Sequence, residues 1–163
     1  KILKSIKGRK VNGLMSQMLF KKSKTKSAKQ SWLPHQDSSY VGNTRGEYIT
    51  TNIFMHNANK LNGTLFIYEK SHLNGVLEFN KQISYREKNN RPGNLVKNLS
   101  KFKKKDLHFK KGDMLILHGD LIHGSYENKS NRSRSLYSMS YIAEGEYFTA
   151  GLNARRKILD QVK

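Results

Sequence analysis

Short segments of strand-forming residues, separated by turn residues, are the feature that most limits how this chain can fold. Side chains of a strand alternate between its two faces. In residues 133–142 this alternation places Leu136, Ser138 and Ser140 on one face. Many short strands, with helical patterns only near the ends, predict an all-β barrel or jelly roll with a few peripheral helices. Further strands are predicted over residues 11–20, 47–55, 64–68, 107–109 and 114–117.

The length and composition predict one domain over residues 1–163. The chain has no cysteine, which excludes disulfides, zinc–thiolate sites and thiol nucleophiles and favours a cytoplasmic location. It contains no apolar run of about 18 residues, so we expect no membrane-spanning helix. It begins with Lys1 rather than Met and has no secretory signal pattern, which is compatible with a missing N-terminal portion.

The formal net charge of +19 raises the question of an anionic partner. Much of this charge lies in residues 21–29 and 101–111, which we interpret as solvated runs. These runs lack the interleaved aromatic residues of a single-strand binding surface, so nucleic acid is not the expected partner. A small anionic substrate is favoured instead. We further interpret residues 21–30 as a loop, residues 74–100 as a long excursion and residues 144–163 as a terminal helix.

The triplet His35-Gln36-Asp37 is the strongest indication of chemistry. Residues i and i+2 of a strand point to the same side, so His35 and Asp37 could bind a single ion. Two histidines and one carboxylate form the ligand set of mononuclear non-haem iron, with three coordination positions open. The alternative is a turn pair that hydrogen-bonds locally. The third ligand would be His123 or His118, brought close by the barrel.

Several short motifs follow one another along the chain: His35-Gln36-Asp37, Asn62-Gly63-Thr64-Leu65, Ser71-His72, Gly112-Asp113, and His123-Gly124-Ser125 with Arg134 eleven residues after His123. Together they resemble the phytanoyl-CoA dioxygenase family, and the resemblance covers most of residues 14–142. It implies a double-stranded β-helix, which is a cupin-like jelly roll, and a dependence on Fe(II) and 2-oxoglutarate. The chain departs from the family's common Pro-Gly-Ser-His sequence, since Glu69 and Lys70 precede Ser71-His72.

The resemblance assigns the iron ligands to His35, Asp37 and His123. It favours His123 over His118 because Gly124-Ser125 follows His123 with the family's spacing. The presence of Asp37 argues against the halogenases, in which a small residue replaces the carboxylate ligand.

The resemblance also implies how the co-substrate is bound. Arg134 would pair with the distal carboxylate of 2-oxoglutarate, because a guanidinium forms two parallel hydrogen bonds with a carboxylate. Arg132 is the competing arginine if the strand register differs by two residues. Ser125 would contribute a hydroxyl group. Met18 and Trp32 would line the 2-oxoglutarate pocket.

The expected activity is therefore that of an Fe(II)- and 2-oxoglutarate-dependent dioxygenase that uses O2 to hydroxylate a small or acyl substrate. An alternative is a catalytically inactive cupin-like barrel that binds an anionic ligand or nucleic acid. Another cupin-like metal enzyme that does not use 2-oxoglutarate is the third hypothesis. A contact between Arg134 and a keto acid would argue against that third hypothesis.

Overall fold

The structure is a computed structural model that describes residues 1–82, 93–151 and 156–159. In these residues it has two short helices, ten strands and four 3-10 turns. The helices are α1 (Ile2–Lys7) and α2 (Ser38–Val41). The strands are β1 (Val11–Lys21), β2 (Trp32–His35), β3 (Tyr48–Phe54), β4 (Leu65–Tyr68), β5 (Phe79–Gln82), β6 (Gly93–Val96), β7 (Lys104–Asp106), β8 (Met114–His118), β9 (His123–Ser125) and β10 (Arg134–Ala143). The 3-10 turns are Lys26–Lys29, Lys60–Asn62, Ser71–Asn74 and Leu99–Lys101.

Eight of these strands form two four-stranded antiparallel sheets. The first sheet has the order β1-β10-β3-β8, and the second has the order β2-β9-β4-β7. Buried side chains of both sheets meet in one cluster, in which Phe54, Leu117 and Leu136 of the first sheet contact Leu65 of the second. This arrangement is a jelly-roll core, as the strand pattern predicted.

The alternation predicted for residues 133–142 is present in β10. Leu136, Ser138 and Ser140 are buried on the face that points between the sheets, whereas Tyr137 and Met139 are only partly buried on the outer face. Several interior positions are polar rather than aliphatic. The two sheets therefore enclose a cavity that is lined by both polar and apolar side chains.

Two further clusters complete the hydrophobic core. Leu14, Val41, Tyr48 and Ile142 form a buried cluster. A third cluster, built around Phe66, lies on the face of β4 that points away from the cavity. None of the helices in the described part of the chain is long and apolar enough to cross a membrane.

Two lysine-rich segments differ from the predictions. A strand was predicted over residues 107–109, but the strand beside β4 is Lys104–Asp106, and Phe109 forms only an isolated bridge with Ala58. The predicted loop over residues 21–30 is also wrong in part. Lys21 is the last residue of β1 and is buried, and Ala28 in the following 3-10 turn is buried as well.

The chain after β10 does not form the predicted terminal helix over residues 144–151 and 156–159. The N–H groups of Lys157 and Leu159 donate to carbonyls of β1 rather than to carbonyls one helical turn earlier. Residues 152–155 and 160–163 lie outside the described residues. In the predicted excursion over residues 74–100, β5 pairs with β6 as a small separate sheet, and residues 83–92 lie outside the described residues.

Candidate active site

Strand pairing brings the first and last residues of the predicted ligand set together. His35 ends β2 and His123 begins β9, and the two residues are paired across these antiparallel strands. Such partners point to the same face of a sheet. Their rings lie with centroids 4.4 Å apart, and both side chains are buried. The rival histidine, His118, lies elsewhere, beside His72 and the backbone N–H of Asp120.

Asp37 reaches the same point from a different backbone geometry than predicted. It follows β2 and immediately precedes α2, so it does not belong to a strand. Its Oδ1 atom lies 3.6 Å from Nε2 of His35 and 3.8 Å from Nε2 of His123. Its Oδ2 atom accepts a hydrogen bond of 2.6 Å from Oγ1 of Thr50 on β3. Asp37 makes no side-chain capping bond to α2, and its hydrogen bond to Thr50 joins it to a strand outside the turn, which disfavours the alternative of a locally bonded turn pair.

The two histidines are oriented by backbone carbonyls. Nδ1 of His35 lies 2.6 Å from the carbonyl oxygen of Leu33, and Nδ1 of His123 lies 3.0 Å from that of Leu121. A carbonyl oxygen only accepts, so each Nδ1 carries the proton and donates it. The lone pair of a neutral imidazole is then on Nε2, which faces Asp37 in both cases.

The charges of these groups suit metal binding. Burial lowers the pKa of His123, which favours its neutral form. Burial acts against the charge of Asp37, but the electrostatic influence of His123 and His35 and the hydrogen bond from Thr50 outweigh it. They hold the pKa of Asp37 well below its usual range. A metal needs an ionised carboxylate and neutral imidazoles, and these shifts point in that direction.

The donor set fits a first-row metal ion. One ligand atom from each of His35, Asp37 and His123 lies within 4.8 Å of the other two. Ligands at about 2.0–2.2 Å from a metal in cis positions are about 3 Å apart, so small side-chain movements would complete the geometry. No other group of three such ligands is found in the residues that the structure describes.

Gln36, between two of the predicted ligands, has a separate structural role that the sequence interpretation did not assign. Its side chain is fully buried and points away from the ligand pair. Its Nε2 donates to the carbonyls of Gly75 and Asp120 at 2.7 Å and 2.6 Å, and its Oε1 accepts from the N–H of Leu77 at 2.7 Å. The triplet is thereby tied to two other loops.

The ligands open into a cavity of about 470 Å³ between the two sheets. The predicted pocket residues Ser125, Trp32 and Arg134 line it. Met18 does not, and its prediction is corrected: its side chain is 41% exposed on the outer face of β1. Because side chains of a strand alternate, the neighbours of Met18, not Met18 itself, face the cavity.

Arg134 is buried at the wall of this cavity, only 2% exposed, whereas Arg132 is exposed. Its guanidinium donates to the carbonyl of Gly63 through Nε, at 3.1 Å, and through Nη2. Burial lowers the pKa of Arg134 to about 10, so the side chain remains charged at neutral pH.

Lys21 is a cavity residue that the sequence interpretation missed. It is 3% exposed, and its Nζ donates to Oγ of Ser125 at 2.7 Å and to the carbonyl of Tyr126. It pairs with Arg134 across β1 and β10. The sequence did contain a signal. Lys21 follows Leu19 by two residues, so the phase of β1 places it on the interior face.

Comparisons with known proteins give one consistent result. The family model described as "Phytanoyl-CoA dioxygenase (PhyH)" matches residues 2–136. A "Phytanoyl-CoA dioxygenase" of Arabidopsis thaliana is 29% identical over 117 residues, which are 68% of this chain and 38% of the relative. A "Phytanoyl-CoA dioxygenase 1" of Oryza sativa subsp. japonica is 31% identical over 112 residues, which are again 68% of this chain and 38% of the relative. The matches thus span well under half the length of these relatives.

Solved structures share the fold at low sequence identity. The non-heme alpha ketoglutarate dependent carbocyclase SnoK from nogalamycin biosynthesis aligns over 98% of this chain and 63% of its own, with a TM-score of 0.69 and 16% identity. EctD from S. alaskensis, solved with 2-oxoglutarate and 5-hydroxyectoine, aligns over 87% of this chain and 48% of its own, with a TM-score of 0.67 and 16% identity. The epimerase SnoN, in complex with Fe3+, alpha ketoglutarate and nogalamycin RO, aligns over 87% of this chain and 54% of its own, with a TM-score of 0.65 and 19% identity.

Proposed function

The chain belongs to the phytanoyl-CoA dioxygenase family, and on that premise we propose that it acts as an Fe(II)- and 2-oxoglutarate-dependent dioxygenase that hydroxylates a small or acyl substrate. The observation that carries the proposal is the meeting of two imidazole Nε2 atoms and one carboxylate oxygen at the wall of the cavity. A 2-His-1-carboxylate set with open positions is typical of non-haem Fe(II) oxygenases.

In this proposal His35, Asp37 and His123 hold the iron. The carbonyl groups that accept from both Nδ1–H groups fix the ring orientations, and Thr50 fixes the carboxylate. Bound iron would supply the activation of O2 that couples the oxidation of 2-oxoglutarate to succinate and CO2 with hydroxylation of the substrate. The protein contributes orientation and partial exclusion of water.

The other cavity residues bind the organic reactants in this proposal. Arg134 pairs with the distal carboxylate of 2-oxoglutarate, and Ser125 donates or accepts a hydrogen bond beside it. Trp32, whose ring centroid lies 5.9 Å from that of His35, lines the cavity and would pack against a bound keto acid. The cavity is much larger than a small keto acid, so the remaining volume is available to the primary substrate.

The second candidate function is a catalytically silent barrel that binds an anionic ligand. The observation that favours it is the pair of buried cations, Lys21 and Arg134, at the cavity wall. Both functions predict anion binding, but only the first requires a metal at the histidine pair.

Anaerobic titration of the protein with Fe(II) and 2-oxoglutarate tests the proposal. We expect a weak visible charge-transfer band, which appears only when the keto acid chelates iron. The variant His123→Ala should lose the band because it removes one ligand. The matched control is His108→Ala, since His108 is exposed and lies outside the cavity.

The two candidate functions differ in the outcome. A band in the parent protein and in His108→Ala, together with its loss in His123→Ala, supports the dioxygenase. Keto acid binding without any band, unchanged by Fe(II), supports the silent barrel instead. Succinate release with O2 and candidate substrates then identifies the substrate class.

A further inference from the structure

Two buried basic side chains lie side by side at one end of the cavity. Lys21 ends β1, Arg134 begins β10, and the two are direct partners across these antiparallel strands. Their exposed fractions are only 3% and 2%. Within the described residues, no carboxylate oxygen lies within 4.0 Å of either side chain. A charged Lys21 would repel Arg134 in the absence of a partner, because like charges opposite each other in a sheet are destabilising and buried charges normally have a partner.

Each side chain retains hydrogen-bonding capacity that its protein contacts do not use. The Nζ of Lys21 donates to Ser125 and to the Tyr126 carbonyl, and a protonated amine has a third N–H. The guanidinium of Arg134 donates only to the Gly63 carbonyl, through Nε and Nη2, so Nη1 has no partner among the described residues. Both side chains line the same cavity, where a ligand can reach them.

The surrounding structure holds Lys21 in this position. The side-chain amide of Asn128 donates to the backbone carbonyl of Lys21 at 2.7 Å. The Lys21 side chain passes directly over Gly63, where a Cβ would lie 2.8 Å from Cδ of Lys21 and 2.9 Å from the Tyr126 carbonyl. Gly63 also has a φ of +87°, so a larger residue is disfavoured on both grounds. The bond from Asn128 and the close approach to Gly63 therefore fix the position of the Lys21 side chain.

We propose that Lys21 is a second cationic ligand of the distal carboxylate of 2-oxoglutarate, beside Arg134, and that it makes the site prefer keto acids with a second carboxylate. This inference rests on the proposed function, because it takes 2-oxoglutarate as the co-substrate. The carboxylate would supply the negative charge that the two cations lack. Ser125, already bonded to Lys21, would complete the anion site.

Binding should also be coupled to protonation. Burial, and then the charge of Arg134, lowers the pKa of Lys21 to about 6, while Glu127 acts weakly in the opposite direction. At pH 7.5 the amine is then largely neutral in the free protein. A bound carboxylate favours the ammonium form, so co-substrate binding should take up protons from solution.

The test compares Lys21→Met with the control Lys22→Met, since Lys22 is the exposed neighbour of Lys21. The probes are 2-oxoglutarate and 2-oxopentanoate, a keto acid of the same chain length without the distal carboxylate. Both are titrated anaerobically into the Fe(II)-loaded protein. We expect Lys21→Met to weaken 2-oxoglutarate binding by about 10- to 100-fold, the usual effect of a charge-assisted bond, and to leave 2-oxopentanoate binding nearly unchanged.

Calorimetry in buffers of different ionisation enthalpy measures the protons exchanged. The parent and Lys22→Met should take up protons with 2-oxoglutarate at pH 7.5, and Lys21→Met should lose that uptake. A purely structural role for Lys21 would weaken both keto acids equally, which overturns the inference. Unchanged 2-oxoglutarate affinity in Lys21→Met overturns it as well. A parent protein that binds neither keto acid refutes the proposed function, and the inference with it.

Discussion

Replacing Lys21 with methionine should change stability with a sign that depends on pH. In the unfolded chain the amine has its ordinary pKa of 10.5, and in the folded protein burial lowers this pKa to about 6. Between these values folding must release a proton. The destabilising contribution of Lys21 is therefore absent above pH 10.5 and grows progressively as the pH falls towards about 6. Methionine keeps the apolar stem and removes this dependence.

The magnitude follows from the pKa difference. At about 1.4 kcal/mol per pH unit, the proton release costs about 5 kcal/mol at pH 7 and about 1 kcal/mol at pH 9.5. Against this, Lys21→Met loses two hydrogen bonds, to Ser125 and Tyr126, and leaves a buried carbonyl unpaired, about 2–3 kcal/mol in all. Lys21→Met should therefore be more stable than the parent by about 2 kcal/mol at pH 7 and less stable by about 1 kcal/mol at pH 9.5.

Urea unfolding at pH 7 and pH 9.5, with a chelator present and no keto acid, measures both free energies of unfolding. Lys22→Met is the control. Its free energy of unfolding should differ from that of the parent by the same small amount at both pH values, because Lys22 is exposed. A difference between Lys21→Met and the parent that is the same at both pH values would refute the reasoning. Lower stability of Lys21→Met at pH 7 would refute it as well.

Two further substitutions test the site and the pairing that builds it. Thr50→Val removes the hydrogen bond to Asp37 and should weaken Fe(II) affinity by about 10-fold in a metal titration, whereas Thr51→Val, on the opposite face of β3, should not. Gly124→Ala would place a methyl carbon 2.5 Å from a backbone carbonyl oxygen and from an aromatic ring. It should lower the free energy of unfolding by about 1–3 kcal/mol, more than Gly13→Ala, where the nearest contacts are 3.8 Å away.

The interior of β10 and the positions of β1, β3, β4 and β8 were predictable from the sequence because alternation and strand-forming composition are local properties. Leu136, Ser138 and Ser140 needed only the period of a strand. The approach of His35 to His123 came from the family resemblance. The approach depends on the register of β2 against β9, which no local pattern contains. The geometry of Asp37 was predicted wrongly for the same reason, since its position depends on the end of β2 and the start of α2.

The prediction from composition was wrong where a charged residue is buried in the structure. Lys21 begins a run of lysines and was assigned to a solvated loop, although the strand continues through it. Met18 was assigned to the pocket although it belongs to the other face of β1. The register of β1 against β10 shifts between Gly13 and Met15, so the phase of the strand could not be counted from its beginning.

Tertiary pairing explains the remaining differences. The strand Lys104–Asp106 has a sequence typical of a surface loop, yet it pairs with β4, and the ammonium group of Lys104 lies 3.8 Å from the ring centroid of Phe66. An edge strand tolerates such lysines because one of its sides faces solvent. After β10, the backbone bonds of Lys157 and Leu159 to β1 take the place of helical bonds.

The register that buries the hydrophobic core also creates the anion site. Leu19 and Lys21 share the interior face of β1, and they pair with Leu136 and Arg134 on β10. A shift of β1 by one residue would move Leu19 and Lys21 to the outer face together. The burial of Leu19 therefore favours a register that also buries Lys21, despite the free-energy cost of burying the amine. The anion that offsets this cost should raise the stability of the whole sheet, because β1 and β10 cannot separate without releasing it.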